Sequence, residues 1–187
     1  MDERMWSGLT KALVGAHVAM LAEGFVGSPM LMPLVAGRLV GKVSVRPMIR
    51  GMDAYVAISE LGNLAAGANA DEVVLSWESQ DLASACEHEA DFPGPCLTIL
   101  WATQQRRAAY RFPYAEVTTK RGRKQLPAVT PQWLPHPPPD PMPAPPPAIA
   151  AALELSWQPL EIEAPYDTLD TSVAYLRSQG YSVSMAA

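Results

Sequence analysis

Apolar residues recur at helical spacing in the first part of the chain. Intervals of three and four residues separate Trp6, Leu9, Leu13, Ala16 and Met20. This stripe predicts a helix over residues 3–23, deeply buried along its second half. A shorter run of the same kind predicts a second helix over residues 30–40. Two N-terminal helices are therefore expected.

Shorter apolar runs predict strands in the middle of the chain. Residues 42–46 alternate apolar and polar side chains, and residues 73–75 are continuously apolar. A helix that begins at Asp53 lies between them. This strand–helix–strand order, over about 35 residues, predicts a βαβ unit with two parallel strands.

Two later runs predict a hairpin at one edge of the sheet. Residues 96–101 form a buried strand, residues 103–105 turn the chain, and residues 106–114 alternate. The alternation places Tyr110, Phe112 and Tyr114 on one face of the second strand. Because Pro113 has no N–H to donate to a neighbour, we predict an edge strand here. The expected fold class is α/β, with a mixed sheet.

Proline divides the chain. Eleven of the 19 prolines fall between Pro127 and Pro147, a composition that favours a stiff polyproline II spacer. Beyond it, strand and helix patterns predict a small βαβ-like unit that is too short to be stable alone. We predict an α/β body (residues 1–126), a proline-rich arm or linker (127–148) and a small acidic C-terminal docking unit (149–187).

Charge is distributed unevenly around a net value of −5. Residues 1–126 carry thirteen basic and thirteen acidic side chains, whereas residues 127–187 carry one basic and six acidic ones. Residues 106–124 hold seven basic side chains and one acidic one. This distribution excludes a protein that coats nucleic acid over its whole surface, but it allows one local basic patch.

The basic patch is interleaved with aromatic residues, and we call it the basic edge. Its members are Arg106, Arg107, Tyr110, Arg111, Tyr114, Lys120, Arg121, Arg123 and Lys124. Cations for phosphates and rings for bases are what single-stranded nucleic-acid binding needs. The same pattern fits an edge strand whose charges prevent aggregation and whose rings face the core. It also fits a surface that receives the acidic C-terminal unit.

Signals for catalysis are weak. Parallel strands would present Asp53, Glu78, Asp81 and Thr103 at one edge of the sheet, where carboxylates hold a metal or transfer protons. Glu78 and Asp81 are the candidate ligands of a metal-assisted hydrolase, yet each also suits a helix start. Cys86, His88 and Cys96 match no zinc spacing. Glycine-rich nucleotide loops and the Gly-x-Ser-x-Gly motif are absent from the sequence, so no cofactor is expected and catalysis is disfavoured.

The surroundings of the chain are also predicted from its N-terminal third. The acidic start, residues 1–4, lacks the basic region of a signal peptide. The longest uncharged run, residues 24–37, falls short of the roughly 20 residues that a membrane-spanning helix needs. We expect a cytoplasmic protein outside the membrane, with reduced cysteines.

These patterns lead to one main hypothesis. The chain is expected to be a non-catalytic interaction or assembly protein that contacts another protomer, or a different protein partner, through its proline-rich arm and acidic C-terminal unit. Single-stranded nucleic-acid binding at the basic edge and metal-assisted hydrolysis at the strand ends are the alternatives.

Overall fold

The computed structural model describes residues 2–119, 128–141, 144–160 and 167–186. Helix α1 (Glu3–Ala22) begins after Asp2, whose carboxylate accepts a hydrogen bond from the Met5 N–H at 2.7 Å. Such a side-chain cap satisfies one of the free N–H groups at a helix start. The first predicted helix is confirmed in its extent. Its expected deep burial along the second half is wrong, because only the side that carries Leu13, His17 and Leu21 is buried, whereas Ala16 and Ala19 are exposed.

A sheet of eight strands forms the centre of the described structure. The strands are β1 (Met30–Val35), β2 (Arg38–Leu39), β3 (Gly41–Ser44), β4 (Glu72–Glu78), β5 (Cys96–Ala102), β6 (Arg107–Thr119), β7 (Ala128–Trp133) and β8 (Ser182–Met185). They lie in the order β7-β6-β5-β4-β1-β3-β8, and β2 pairs with β1. With helices on both sides of this sheet, the α/β class is confirmed.

The second predicted helix, over residues 30–40, is wrong, because these residues form the β1–β2 hairpin. Ala36 and Gly37 turn the chain with φ values of 50° and 71°, as the tight hairpin turn requires. Strand β1 lies between β3 and β4 and is buried from Leu31 to Leu34. A strand covered on both faces is continuously apolar, and its pattern resembles that of a buried helix.

The predicted strand–helix–strand unit is present, but its two strands are not neighbours. Helices α2 (Met52–Ser59) and α3 (Gly62–Gly67) connect β3 to β4. Both strands pair antiparallel with β1, so they run in the same direction with β1 between them. All pairings between the described strands are antiparallel, and the expected parallel pairing does not occur.

The β5–β6 hairpin is confirmed, and its register places the three aromatic side chains of β6 on one face. The prediction of an edge strand is wrong for its second half, where β7 pairs with β6 from Tyr114–Trp133 to Thr119–Ala128. The start of the proline-rich arm is therefore a β-strand and not a polyproline II spacer. Since β7 is the last strand of the sheet, it tolerates Pro131.

Two apolar cores lie on opposite faces of the sheet. The smaller joins α1 to Met32, Val74 and Ile99. The larger lies under α2, α3, α5 (Pro147–Ser156) and α6 (Thr168–Ser178). Helix α6 packs on α3, and β8 extends the sheet beside β3. The C-terminal segment thus docks on its own chain.

The helices of the structure were compared with the length and apolar character of a membrane-spanning helix. Within the described ranges, no helix combines the length and the apolar character needed to cross a bilayer.

Candidate binding sites

An open groove of about 570 Å³ runs between α1 and the outer part of the sheet, and we call it the α1 groove. Its apolar lining comes from Trp6, Val14, Phe112, Trp133 and His136. Glu3 and Lys11 add one charge of each sign. Helix, strand and proline-rich arm each contribute rings, so the groove exists only in the folded chain.

Ring contacts set the geometry of this groove. Trp6 packs on Tyr110 with centroids 4.4 Å apart, and Phe112 meets His136 edge to face at 4.9 Å. Farther along, His17 meets Tyr114 at 5.3 Å. The eleven residues from Trp6 to His17 span about 16 Å of helix, and the four from Tyr110 to Tyr114 about 13 Å of strand. The helix therefore runs along β6 in the same direction.

A buried imidazole lies beyond the end of the groove. His17 is 2% exposed, contacts the rings of Tyr114 and Trp133, which also contact each other, and its Nε2 has no hydrogen-bond partner. Burial lowers the pKa of His17 to about 4, since an apolar environment disfavours the charged form. The side chain is neutral at physiological pH and belongs to the core of this face.

The arm beside the groove forms what we call the proline bulge, residues 134–140. The Leu134 N–H donates to the Pro113 carbonyl at 2.9 Å, and Asp140 exchanges two backbone hydrogen bonds with Ala109 at 3.0 and 3.1 Å. The arm takes six residues to pass from Leu134 to Asp140, whereas the paired stretch of β6, from Pro113 back to Ala109, takes four. The excess chain bulges outward and leaves Pro135, Pro138 and Pro139 exposed.

A second opening, of about 650 Å³, lies at the other end of β6, and we call it the turn cleft. It is lined by two indole rings, those of Trp101 and Trp157, and by Asp71 and Arg106. Its polar lining also includes two hydroxyl residues, Thr103 and Ser156, and four amides, Asn69, Gln104, Gln105 and Gln158. A smaller recess of about 280 Å³ adjoins it across Trp157 and adds Arg107 and Glu154.

Local hydrogen bonds hold the walls of the turn cleft in place. The Thr103 hydroxyl accepts from the N–H groups of Gln105 and Arg106 at 3.2 and 3.0 Å, which locks the β5–β6 turn. The Trp101 indole N–H donates to Glu72 at 2.7 Å. These bonds orient the turn and one ring before any ligand arrives.

The structure separates the members of the basic edge. Arg106 lines the turn cleft and Arg107 the recess beside it, whereas Tyr110 and Tyr114 face α1. Tyr114 is 2% exposed, so its ring is not accessible for stacking on a base. The register of β6 places Arg111 on the opposite face from these rings. The remaining members, Lys120, Arg121, Arg123 and Lys124, lie outside the described residues.

The candidate metal ligands are engaged in local structure. Glu78 caps helix α4 (Ser79–Cys86) by accepting from the Asp81 N–H at 2.6 Å, and it also accepts from the Cys96 N–H at 2.8 Å. Burial raises the pKa of Glu78 and that of Asp81. The prediction that Thr103 lies near Glu78 and Asp81 is wrong. Because β4 and β5 pair antiparallel, Thr103 lies at the opposite end of these strands.

The other reactive residues are similarly placed in structural roles. Asp53 binds Arg46 through a 2.6 Å ion pair, and Cys86 and Cys96 are both free thiols. Burial raises the pKa of the Cys96 thiol to about 11, so it stays protonated near neutrality. The part of the chain that the structure describes contains no group of three or more His, Cys, Asp or Glu side chains arranged to hold a metal.

Sequence reasoning did not single out either opening. Trp133, His136 and Trp157 reach their sites through contacts with distant segments, so no local spacing marks them. Two tryptophans in an otherwise proline-rich and acidic region were the available signal, because large aromatic residues concentrate at binding surfaces.

Comparisons with protein-family models, with curated proteins and with solved structures gave no match for this chain.

Proposed function

We propose that this protein is a non-catalytic assembly protein in which the α1 groove of one copy receives the proline bulge of another. The observation that carries the proposal is that an aromatic-lined groove and a proline-rich protrusion lie side by side on one surface. Aromatic grooves bind proline-rich segments because the stiff segment loses little entropy on binding. The cytoplasmic location expected from the sequence is part of the proposal.

The arrangement supports exchange between two copies. His136 belongs to the bulge and also lines the groove, so the two features are adjacent. A two-fold axis beside them brings each bulge to the other copy's groove, which gives a closed, self-complementary dimer. Leu134, 43% exposed on the bulge, adds an apolar side chain that such an interface would cover.

Light scattering as a function of concentration tests the assembly. We expect a mass of twice 20.2 kDa at high concentration. Trp6→Ala, and separately the double variant Pro138→Ala with Pro139→Ala, should shift the equilibrium to the monomer. The control is Phe25→Ala, which removes an exposed ring outside the groove. Circular dichroism establishes that each variant is folded.

A synthetic peptide of residues 134–141 tests the recognition directly. It should dissociate the dimer and change the tryptophan fluorescence of the wild type but not of the Trp6→Ala variant. A peptide with alanine in place of every proline should do neither. A wild-type mass of 20.2 kDa at every concentration, together with no response to the peptide, refutes the proposal. A monomer that nevertheless binds the peptide refutes self-assembly and indicates a different proline-rich partner.

A further inference from the structure

We propose that the turn cleft is a binding site for a short neutral oligosaccharide. The site is distinct from the α1 groove and does not depend on the assembly proposed above. At about 650 Å³ it lies within the range of roughly 300–1,000 Å³ typical of small-molecule sites. Three separate segments of the chain converge on it: the turn before β4, the β5–β6 turn and the end of α5.

The apolar part of the lining suits a sugar ring. Trp101 and Trp157 both line the cleft and are half-buried, Trp101 against the smaller core and Trp157 against the larger one. The two indoles therefore border the cleft from opposite faces of the sheet. A pyranose has one face made of C–H groups, which packs against a flat indole ring, and its hydroxyl groups point outward from the ring edge. The Trp101 ring is already fixed by its hydrogen bond to Glu72, so little ordering is required on binding.

The polar part of the lining suits hydroxyl groups. Each amide of Gln104, Gln105 and Gln158 carries both a donor and an acceptor, and a hydroxyl likewise donates and accepts. Four amide side chains in one cleft therefore match a polyhydroxylated ligand better than one that only accepts hydrogen bonds.

Charge in the cleft argues against a polyanion. Among the described residues that line it, Arg106 is the one cation and Asp71 is the one anion. The Asp71 carboxylate also accepts from the Ala36 N–H at 2.9 Å, which holds it in place. A nucleotide or a phosphorylated sugar would need an excess of cations at this position. The nearly balanced charge favours a neutral ligand.

The length of the ligand follows from the adjoining recess. Trp157 and the β5–β6 turn line both openings, so a chain of linked rings can extend across the indole from one to the other. A monosaccharide would occupy only one side of Trp157. The geometry therefore points to at least two linked sugar units.

Nuclear magnetic resonance titration tests the proposal on the full chain. The probes are maltotriose, cellotriose and chitotriose, with adenosine and ATP as ligands of another class. We expect at least one trisaccharide to shift the indole N–H signals of Trp101 and Trp157 saturably and to leave those of Trp6 and Trp133 unchanged. Trp157→Ala should weaken binding about tenfold, equivalent to about 1.4 kcal/mol.

Two further variants make the result decisive. Trp157 also packs against the larger core, so the exposed pair Gln104→Ala with Gln105→Ala is tested as well and should weaken the same sugar without loss of fold. Gln132→Ala, at an exposed amide on β7 that lines none of these openings, is the matched control and should bind normally. No saturable shift with any trisaccharide, binding of adenosine or ATP alone, or full affinity in both cleft variants would overturn the inference.

Discussion

At the scale of single residues, the neutral His17 imidazole links pH to stability. Its pKa is about 4 in the folded chain against an ordinary 6.5, so the unfolded chain binds more protons between these values. Stability is therefore fully present above about pH 6.5 and is lost as the pH falls toward 4. His17→Leu should abolish this pH dependence, which amounts to up to about 3 kcal/mol in the free energy of unfolding.

Urea unfolding of both proteins from pH 7.5 to 4 measures the effect. The raised pKa of Glu78 changes stability with the opposite sign, since the folded chain then binds the extra proton. For this reason the difference between wild type and variant is the quantity to compare. Leu9→Ala, which removes no titratable group from α1, should show the wild-type dependence. Identical slopes for wild type and His17→Leu would contradict the prediction.

Glu78 allows a second test at this scale. Its carboxylate accepts backbone hydrogen bonds from two elements, α4 and β5, so Glu78→Ala should lower the free energy of unfolding by about 2 kcal/mol. Asp81→Ala removes only a charge from the first helical turn and should cost less than about 1 kcal/mol. Denaturant titration measures both. The metal hypothesis instead requires calorimetric heat with Mg²⁺ or Mn²⁺ that both substitutions abolish.

At the scale of elements, α3 depends on glycines for its packing. A Cβ at Gly62 would collide with the Ala152 carbonyl oxygen of α5, a backbone atom that cannot rotate away. Gly62→Ala should therefore destabilise the protein by about 1–3 kcal/mol or more. Gly15→Ala is the matched control, because nothing lies within 4 Å of its Cβ position on α1. There the change should stabilise by about 0.5–1 kcal/mol.

Thermal unfolding of the two variants should thus move the midpoint in opposite directions. A Gly62→Ala protein as stable as wild type would mean that α3 and α5 do not approach as closely as the structure indicates.

The elements that sequence reasoning predicted correctly are those fixed by local spacing. Strand alternation alone predicted that Tyr110, Phe112 and Tyr114 share one face of β6. The turn at residues 103–105 was also predicted correctly. Strand β1 was missed because burial on both faces removes the alternation. Strand β7 was missed because it depends on pairing with β6, which no pattern within the proline-rich arm shows.

The same distinction holds for the candidate sites. Arg106 and Arg107 were recognised as a basic cluster, and they do lie at an opening. Their position beside Trp157 depends on how α5 packs. Because about fifty residues separate Trp157 from these arginines in the sequence, composition does not show this long-range contact. Attraction between the acidic C-terminal unit and the basic edge was one of three interpretations of that edge, and it stays untested, because residues 120–127 and 161–166 lie outside the described residues. The described C-terminal elements are held by apolar contacts such as those of Val173 and Leu176.

At the scale of the whole molecule, one core joins parts of the sequence that were predicted as separate. Ile149 and Leu153 from α5 lie in the same cluster as Leu31 and Leu75 of the sheet. The Tyr181 hydroxyl donates to the Ala57 carbonyl at 2.9 Å. The predicted division at residues 126 and 148 therefore has a direct test, which is whether the first part folds without the last.

We expect that a chain truncated after Val129 loses cooperative folding. The cut removes α5, α6, β8 and all but the first two residues of β7. It leaves the sheet face under α2 and α3 without most of its cover, exposing side chains such as Ile58 and Leu64 that are fully buried in the intact chain. The intact chain should unfold in a single calorimetric transition whose van't Hoff and calorimetric enthalpies agree. The truncated chain should bind a hydrophobic dye and show no sharp transition. A control cut after Ser182 removes all but the first residue of β8 and keeps Tyr181, and it should retain a single transition at lower temperature. A truncated body with native circular dichroism and a sharp transition of its own would instead establish residues 1–126 as an independent domain.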